Sequence, residues 1–244
     1  MSPTAIPGNL ILKNEMVEAD PFFNNVSLLL HGDGANGSTT IVDSSPSPKS
    51  VAAAGNTQIN TTVTDPFGRT GFGVIAFDGS NDWAIANAPI TANGDLTIEG
   101  WMYVNAMPTG AYFFDCRISP AATGAFSPLV YMTGSPIALS FALSAVRITH
   151  QSNVNLLSWN HIALVRASGV TKLFLNGVSS NTTYTDATPW TLGTSSSPVL
   201  GSRASLNGVF GLDGYIDDFR ITNGVARYTS NFTPPTAPFP EVLG

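Results

Sequence analysis

The sequence has very few charged side chains. Only 11% of its 244 residues are Asp, Glu, Lys or Arg, less than half of the usual share of about 25% in soluble domains. Because 43% of the residues are hydrophobic, the composition is the opposite of that of disordered chains. Lys and Glu, which cover most helix surfaces, occur only three and four times. β-branched, aromatic, Gly and Pro residues dominate instead, which excludes a helical bundle and predicts an all-β domain.

Basic patches, membrane spans and cysteine pairs are also missing. The net charge is −6 and the ten basic residues are scattered singly, so nucleic acid is not an expected partner. No apolar run reaches the ~18 residues of a membrane span, and no signal peptide is visible at the N-terminus. We therefore expect synthesis in a cytoplasm without membrane insertion. The single Cys116 is interpreted as a small buried hydrophobe rather than a reactive thiol.

Short apolar runs separated by turn residues follow Asp20. The clearest is residues 95–104, where apolar positions alternate with Thr, Glu, Trp and Tyr, as expected for a central strand covered on both faces. A spacing of about 8–12 residues, with Gly, Asn and Ser at the turns, predicts a sandwich. The other predicted strands are 26–30, 39–43, 50–55, two within 74–87, 112–116, 137–143, 161–167, 170–176 and 214–222.

The two ends of the chain differ from this pattern. Residues 1–20 show no strand alternation and are predicted to be an N-terminal arm, either disordered or used for docking. Residues 21–240 are predicted to be one domain, followed by a terminus of residues 241–244. The Pro-rich tail, residues 231–240, cannot join a central strand. We expect it to run extended over the domain surface, with Phe232 and Phe239 packed into grooves.

Six motifs, in their order along the chain, resemble the concanavalin A-like lectin/glucanase superfamily. More narrowly, they resemble its laminin-G-type jelly rolls from bacteriophage and marine bacterial genomes. The resemblance covers about residues 20–240 and implies a two-sheet antiparallel jelly-roll sandwich, with one concave sheet and variable loops at one rim. The motifs are VSLLLHGDGANGSTTIVDSS, FDGSNDW, DLTIEGWMYV, SWNHIALVR, TKLFLNGV and GYIDDFRITNGVARYTSNFTPPTAPFP.

The resemblance also implies a function. Related phage sequences are usually virion surface components, so we expect a non-enzymatic head decoration or tail fibre/adhesin component that binds host glycans weakly. Such a protein sits on the virion surface, is assembled in the host cytoplasm and is released by lysis. Its expected partners are other virion proteins, a host surface glycan and copies of itself in a homo-oligomer such as a trimer. The alternatives are a soluble bacterial carbohydrate-binding module and, less favoured, a glycoside hydrolase.

The acidic residues do not form the pattern of a glycosidase. Hydrolases of the superfamily carry alternate acids on one strand, and glycoside hydrolysis needs a pair of nearby carboxyl groups. Here Glu99 is the only Glu within a predicted strand, and its neighbours Thr97 and Trp101 are not acidic. We therefore predict that the chain is not an enzyme. His161 is interpreted as a buried histidine hydrogen-bonded to a neighbouring strand, rather than as a catalytic base.

Two aromatic residues are candidates for sugar binding. A shallow sugar site needs an aromatic platform with planar polar groups around it. Trp190 and Tyr184 lie in predicted loops and could form such a platform. For Trp190, packing at the rim of the sandwich is the preferred interpretation and a platform the alternative.

The resemblance further implies a Ca²⁺ site near the loops, since this family often binds one calcium ion through carboxylate, amide and carbonyl oxygens. The motif DGSND supplies Asp78, Asn81 and Asp82, and Asp217 or Asp218 could add a carboxylate. The same residues suit a tight hairpin turn, because Asp and Asn bond their own backbone and tolerate positive φ. The turn without metal is the preferred interpretation, and calcium stays the alternative.

Overall fold

Apolar side chains at alternate positions build a sandwich of two antiparallel sheets. The structure is a computed structural model that describes residues 19–86, 90–92, 94–107, 110–117, 127–192, 198–203 and 210–244. Within these residues lies one short 3-10 helix, Phe23–Asn25, and the rest of the regular structure is β. The strands are β1 (Val26–Leu30), β2 (Val51–Ala54), β3 (Gln58–Asn60), β4 (Val74–Asp78), β5 (Trp83–Ala86), β6 (Ile90–Ala92), β7 (Leu96–Ala106), β8 (Ala111–Asp115), β9 (Leu129–Thr133), β10 (Ala138–Ala142), β11 (Val146–Asn153), β12 (Trp159–Ala167), β13 (Val170–Leu175), β14 (Val178–Ser179), β15 (Tyr184–Thr185), β16 (Trp190–Leu192), β17 (Val199–Leu200) and β18 (Asp213–Asn223).

The larger sheet has nine strands among the described residues. Its main order is β14-β13-β12-β7-β18-β4-β3, with β1 also paired to β18 and β15 to β13. The second sheet has seven described strands in the order β11-β10-β9-β8-β17-β5-β2, and β16 pairs with β6 in a separate ribbon. The fold class predicted from the sequence, an antiparallel two-sheet sandwich of the concanavalin A-like jelly-roll type, is confirmed.

The core lies between the two sheets and follows from the alternation. On β7, Ile98 and Met102 face inward and pack with Phe113 of β8 and Phe219 of β18. The rings of Phe113 and Phe219 meet at 5.4 Å, nearly edge to face. Each side chain of this kind contributes about 1.5–3 kcal/mol when fully buried. The intervening residues of β7 point to the outer face of the nine-stranded sheet, where the candidate site lies.

One predicted strand is wrong and the role of Cys116 is supported. Residues 39–43 form no strand, and Ile41 makes only an isolated bridge to Val51. The Asp43 carboxylate holds the chain in a loop, accepting hydrogen bonds from the backbone N–H groups of Leu29 and Ser45. Cys116 is fully buried, and burial, with the nearby Asp115 charge, raises the pKa of its thiol well above the usual range.

The ends of the described chain meet at one place. The Asp20 N–H donates to the Val242 carbonyl, and Asp20 bridges Leu243. Of the predicted arm, only residues 19 and 20 belong to the described part of the chain. Among the described residues, no helix has the length and hydrophobicity to span a membrane.

The C-terminal strap, residues 226–240, crosses the outer face of the nine-stranded sheet as predicted for the Pro-rich tail. The Phe232 ring lies 5.4 Å from that of Phe174, and Phe239 is 4% exposed. The Phe232 N–H donates to the Gly177 carbonyl at 3.0 Å. A Cβ at Gly177 would lie 1.9 Å from the Phe232 carbonyl oxygen, and its φ of +77° also requires glycine. The strap can dock this closely only because residue 177 has no side chain.

Candidate functional site

One row of side chains crosses the outer face of the nine-stranded sheet near the beginning of β12. Strand register aligns Gln58 with Ala76, Ala76 with Tyr215, Tyr215 with Tyr103, and Tyr103 with Trp159. Residues that lie opposite each other in neighbouring strands point to the same face. Ala76 is the small member of the row and therefore forms a depression between Gln58 and Tyr215.

The three aromatic members of the row form one continuous cluster. The Tyr103 ring lies 5.6 Å from the Trp159 ring and 5.7 Å from the Tyr215 ring, and Trp159 and Tyr215 are 6.5 Å apart. All three side chains are partly exposed. No hydrogen bond within the described part of the chain engages the hydroxyls of Tyr103 and Tyr215. The cluster therefore presents apolar rings and phenolic donors to solvent.

Amide and carboxylate groups surround this cluster. The groove, which we define by the row and its polar neighbours, includes a depression of about 370 Å³ at the end of the row formed by Gln58, Ala76 and Tyr215. The Asn105 amide donates to Asp213 at 2.9 Å, and the Asn56 amide donates to Asp78 at 2.7 Å. Asp78 and Asp213 also line a second depression of about 430 Å³ next to the groove. The polar surface thus continues over the rim of the sandwich.

The cross-sheet loop, residues 61–73, forms one wall of the groove. The Trp159 indole N–H donates to the Thr64 carbonyl at 2.9 Å. Phe67 packs edge-on against Trp101, with ring centroids 6.1 Å apart. The loop therefore covers Trp101, the next outward residue of β7, while Tyr103 stays accessible.

Farther along the same strands lies a buried charged network beneath the strap. Two guanidinium nitrogens of Arg220 donate to Glu99, at 2.7 and 3.1 Å, and the Tyr228 hydroxyl donates to Glu99 at 2.8 Å. The His161 Nε2 lies 3.5 Å from Glu99. Burial alone would raise the pKa of Glu99, but the Arg220 charge and the contacts with His161 lower it to about 2. A carboxyl group held ionised in this way is a poor general acid at neutral pH.

A further cavity lies beside the strap but does not offer free recognition groups. It has a volume of about 470 Å³ and is lined by Asp20, Arg220, Arg227 and the Pro-rich part of the strap. Asp20 accepts from Arg227 at 2.6 Å and from Arg220 at 3.3 Å. Since these charges neutralise one another and Glu99, the cavity is a weaker candidate for ligand binding than the groove.

His161 is fully buried, which supports the prediction that it is not a solvent-accessible base. Its ring packs against Trp101 at 5.1 Å and against Phe232 at 5.6 Å. The predicted hydrogen bond of the ring to a neighbouring strand is not formed, because both ring nitrogens lack hydrogen-bond partners. The backbone N–H of His161 instead donates to the Asn176 side chain at 2.8 Å.

The two residues predicted to bind carbohydrate lie away from the groove. Trp190 is fully buried, packs 5.4 Å from Phe141 and donates its indole N–H to Asp186 at 3.2 Å. Neither ring face is open, so this position fits packing, the preferred interpretation, and does not fit a platform. Tyr184 is half-buried, and the Arg147 guanidinium lies 4.9 Å over its ring.

The structure brings together Asp78, Asn81 and Asp82 but not Asp217. The Asp82 oxygens accept N–H groups from Asp78 and Asn56, at 2.7 and 2.6 Å, and Asn81 has a φ of +54°. This is the hydrogen bonding of the predicted tight turn. Among the described residues, no group of three or more Asp, Glu, His or Cys side chains could hold a metal ion. Because the Asp82 carboxylate already accepts two backbone N–H groups, these residues match the turn, and calcium binding by them stays an untested prediction.

Asp217 belongs to a different place in the sheet. The residue that pairs with Asp78 is Asp213, and Asp217 lies four residues, about 13 Å, farther along β18. It is opposite Trp101, and its Oδ2 is buried with no hydrogen-bond partner. Burial, followed by the charge of Asp218, raises the pKa of Asp217 well above its usual range.

Sequence reasoning did not single out Trp159, Tyr103 or Tyr215 as binding residues. Their signal was present as alternation, because each occupies an outward position of a strand whose inward positions are apolar. What alternation does not give is the order of the strands. Only the pairing β3-β4-β18-β7-β12 places these three rings beside Gln58 and Ala76.

Comparison with known proteins supports the same fold. The model of the concanavalin A-like lectin/glucanases superfamily, laminin-G type, matches residues 77–227, more than half of the chain. Among curated proteins, none matches this sequence.

Two solved structures illustrate the similarity. Domain 4 of AbnA, a GH43 extracellular arabinanase from Geobacillus stearothermophilus in complex with arabinotriose, is 16% identical, with a TM-score of 0.57, over 82% of this chain and 94% of that one. Trypanosoma rangeli sialidase in complex with sialic acid is 12% identical, with a TM-score of 0.54, over 84% of this chain but 31% of the sialidase. At these identities, the likeness shows the shared fold alone.

Proposed function

This chain belongs to the concanavalin A-like lectin/glucanase superfamily, and from that premise we propose that it is a non-enzymatic carbohydrate-binding protein whose site is the groove. The observation that carries the proposal is the row of Tyr215, Tyr103 and Trp159 beside amide side chains such as that of Gln58. A sugar ring has an apolar face that packs on an aromatic ring, and its hydroxyls pair with planar polar groups. The open groove provides both within one surface.

The ligand class follows from the charges of the groove. Its charged lining residues, as far as the structure describes them, are Asp78 and Asp213, with no Lys or Arg. A neutral oligosaccharide suits this surface better than an acidic one. The arabinanase domain that shares the fold was solved with arabinotriose, which is a neutral ligand of this class. An open, shallow site binds weakly, with a dissociation constant on the order of 1 mM, or about −4 kcal/mol.

The expected setting is the surface of a bacteriophage particle, as the head decoration or fibre component that the sequence motifs suggest. Several copies on one particle would raise the effective affinity by about 10²–10⁴ without new contacts. The alternative setting is a soluble bacterial carbohydrate-binding module. Gold-labelled antibodies on particles purified from the source culture separate the two, since unlabelled particles would remove the virion setting.

Absence of hydrolysis is part of the proposal. Glu99 is the strand carboxylate that a glycosidase would use, and it is buried, ionised and bound to Arg220. The expected result is no release of reducing ends from the polysaccharides that the protein binds. Release that disappears in Glu99→Gln would restore the glycoside hydrolase alternative.

The binding test compares two tyrosines. Calorimetric titration with arabinotriose, xylotriose, cellotriose and maltotriose identifies a neutral ligand. Tyr215→Ala is expected to weaken its binding at least tenfold. Tyr184→Ala, which removes the tyrosine predicted from the sequence, is expected to leave binding unchanged. Equal weakening of binding in both variants would contradict the proposal. Failure of all four sugars to bind at a concentration tenfold above the expected dissociation constant of ~1 mM would contradict it as well.

A further inference from the structure

The outer face of the seven-stranded sheet carries a second aromatic surface. Tyr112 of β8 and Tyr131 of β9 lie opposite each other, with rings 5.5 Å apart and only 23° from parallel. Phe210 extends the row, its ring 6.2 Å from that of Tyr112. These residues form a cluster separate from the core between the sheets. Tyr131 and Phe210 are partly exposed, so the surface is open to solvent.

Two arginines flank this row, and they differ in their partners. Arg117 is neutralised by Asp115, which accepts from its Nε at 2.9 Å and from its terminal nitrogen at 2.7 Å. The Arg203 guanidinium lies 5.4 Å from the Phe210 ring centroid. Within the described part of the chain, Arg203 forms no ion pair. Its Nε is buried and has no hydrogen-bond acceptor.

Arg166 also has a buried Nε without an acceptor, but its terminal nitrogen is paired with Asp186. A buried donor without an acceptor costs about 1–3 kcal/mol, more when the group is charged. Most other arginines of the chain are paired with carboxylates, as Arg69, Arg166, Arg220 and Arg227 are. The planar guanidinium of Arg203, which has no ion pair among the described residues, matches the geometry of a carboxylate. The local excess of one positive charge favours an anion here and not in the groove.

We propose that Arg203, Tyr131 and Phe210 bind a carboxylated sugar residue at a site separate from the groove. The sugar ring packs on the two aromatic rings, and its carboxylate accepts hydrogen bonds from the Arg203 guanidinium. Burial raises the pKa of Tyr112, against the charges of Arg117 and Arg203, so its hydroxyl stays a neutral donor at physiological pH. This site does not depend on the proposed function of the groove.

The test uses trigalacturonate and its neutral counterpart galactotriose, titrated by calorimetry into the full chain. Trigalacturonate is expected to bind, and its affinity is expected to fall when NaCl is raised from 50 to 500 mM, because salt screens the charge. Arg203→Gln and Tyr131→Ala are each expected to weaken this binding at least tenfold. Arg147→Gln, which changes an exposed arginine of the same sheet, is the matched control and is expected to have no effect.

Several results would overturn the proposal. If galactotriose binds as tightly as trigalacturonate, the carboxylate has no role. If inorganic phosphate binds as tightly as trigalacturonate, the aromatic rings have no role. Equal effects of Arg203→Gln and Arg147→Gln would place the anion elsewhere. Loss of trigalacturonate binding in Tyr215→Ala would assign it to the groove. Circular dichroism checks folding, and if Arg203→Gln does not fold, Tyr131→Ala decides.

Discussion

The two ends of strands β7 and β18 carry different chemistry on the same face of one sheet. At one end, Tyr103 and Tyr215 lie open beside amide groups. At the other, Glu99 and Arg220 are buried under the strap and bound to each other. The two strands pair at both ends, with a register shift between Asp217 and Arg220. The difference therefore comes from what covers the sheet, and it separates a surface for recognition from a surface for stability.

Coverage decides which polar groups are free. The strap contributes its own partners to the covered end, such as the Tyr228 hydroxyl and the backbone N–H of Phe239, which donates to Asp218 at 2.8 Å. The open end has no such partner, so its tyrosine hydroxyls remain available. If this division holds, substitutions at the covered end change the free energy of unfolding, and those at the open end change binding.

The largest expected effect comes from Glu99→Gln. The covered end contains two arginines, Arg220 and Arg227, and two carboxylates, Glu99 and Asp20. Removal of one charge leaves both arginines to share Asp20. Breaking a buried ion pair in this way costs about 3–5 kcal/mol, which urea unfolding at pH 7 measures. Asp213→Asn, the same kind of change at the open end, is the control and is expected to cost less than ~1 kcal/mol.

Lowering the pH should remove the stabilisation by ionised Glu99 from the unaltered protein. The pKa of Glu99 is about 2 in the folded state, against an ordinary value of 4.5. A lowered pKa stabilises the fold above pH 4.5, and this stabilisation is lost as the pH falls from 4.5 to about 2. The loss amounts to about 3 kcal/mol, since one pKa unit corresponds to about 1.4 kcal/mol. Urea midpoints between pH 5 and pH 2 measure it, and they should converge with those of Glu99→Gln.

Much of the fold could be predicted from the sequence, but less of the candidate site. Alternation along 95–104 identified β7 and both of its faces, and Pro-rich composition identified the tail that becomes the strap. The loop at 39–43 was missed because strand alternation does not show the Asp43 hydrogen bonds that hold it, one of which comes from Leu29 on β1. The groove was missed for a similar reason, since Gln58, Tyr215 and Trp159 come together only through strand order, which local pattern does not encode.

Asp217 lies between the two ends, and neutralising its side chain should stabilise the protein. Burial and the neighbouring charge of Asp218 raise its pKa, so its ionised form is disfavoured in the folded state. The free energy of unfolding is therefore higher at low pH, where Asp217 is protonated, and it falls as the pH rises through the raised pKa. Asp217→Asn keeps the acceptor for the Asp218 N–H and is expected to gain about 0.5–2 kcal/mol at pH 8. A lower melting temperature for this variant than for the unaltered protein at pH 8 would contradict the argument.

The smallest effect on stability, and the sharpest contrast with Glu99, is expected for Gln58→Ala at the open end. Gln58 is exposed at the edge of the groove, so its loss should change the free energy of unfolding by no more than ~0.5 kcal/mol. If its amide binds a sugar hydroxyl, the affinity for the neutral trisaccharide should fall about fivefold, the equivalent of one hydrogen bond of ~1 kcal/mol. Gln151→Ala removes an amide that donates to the Ser179 carbonyl and accepts from the Asn181 N–H, so it should lower the free energy of unfolding and leave the affinity unchanged. A Gln58→Ala variant that loses stability but keeps its affinity would reverse the assignment, making the open end a structural surface like the covered one.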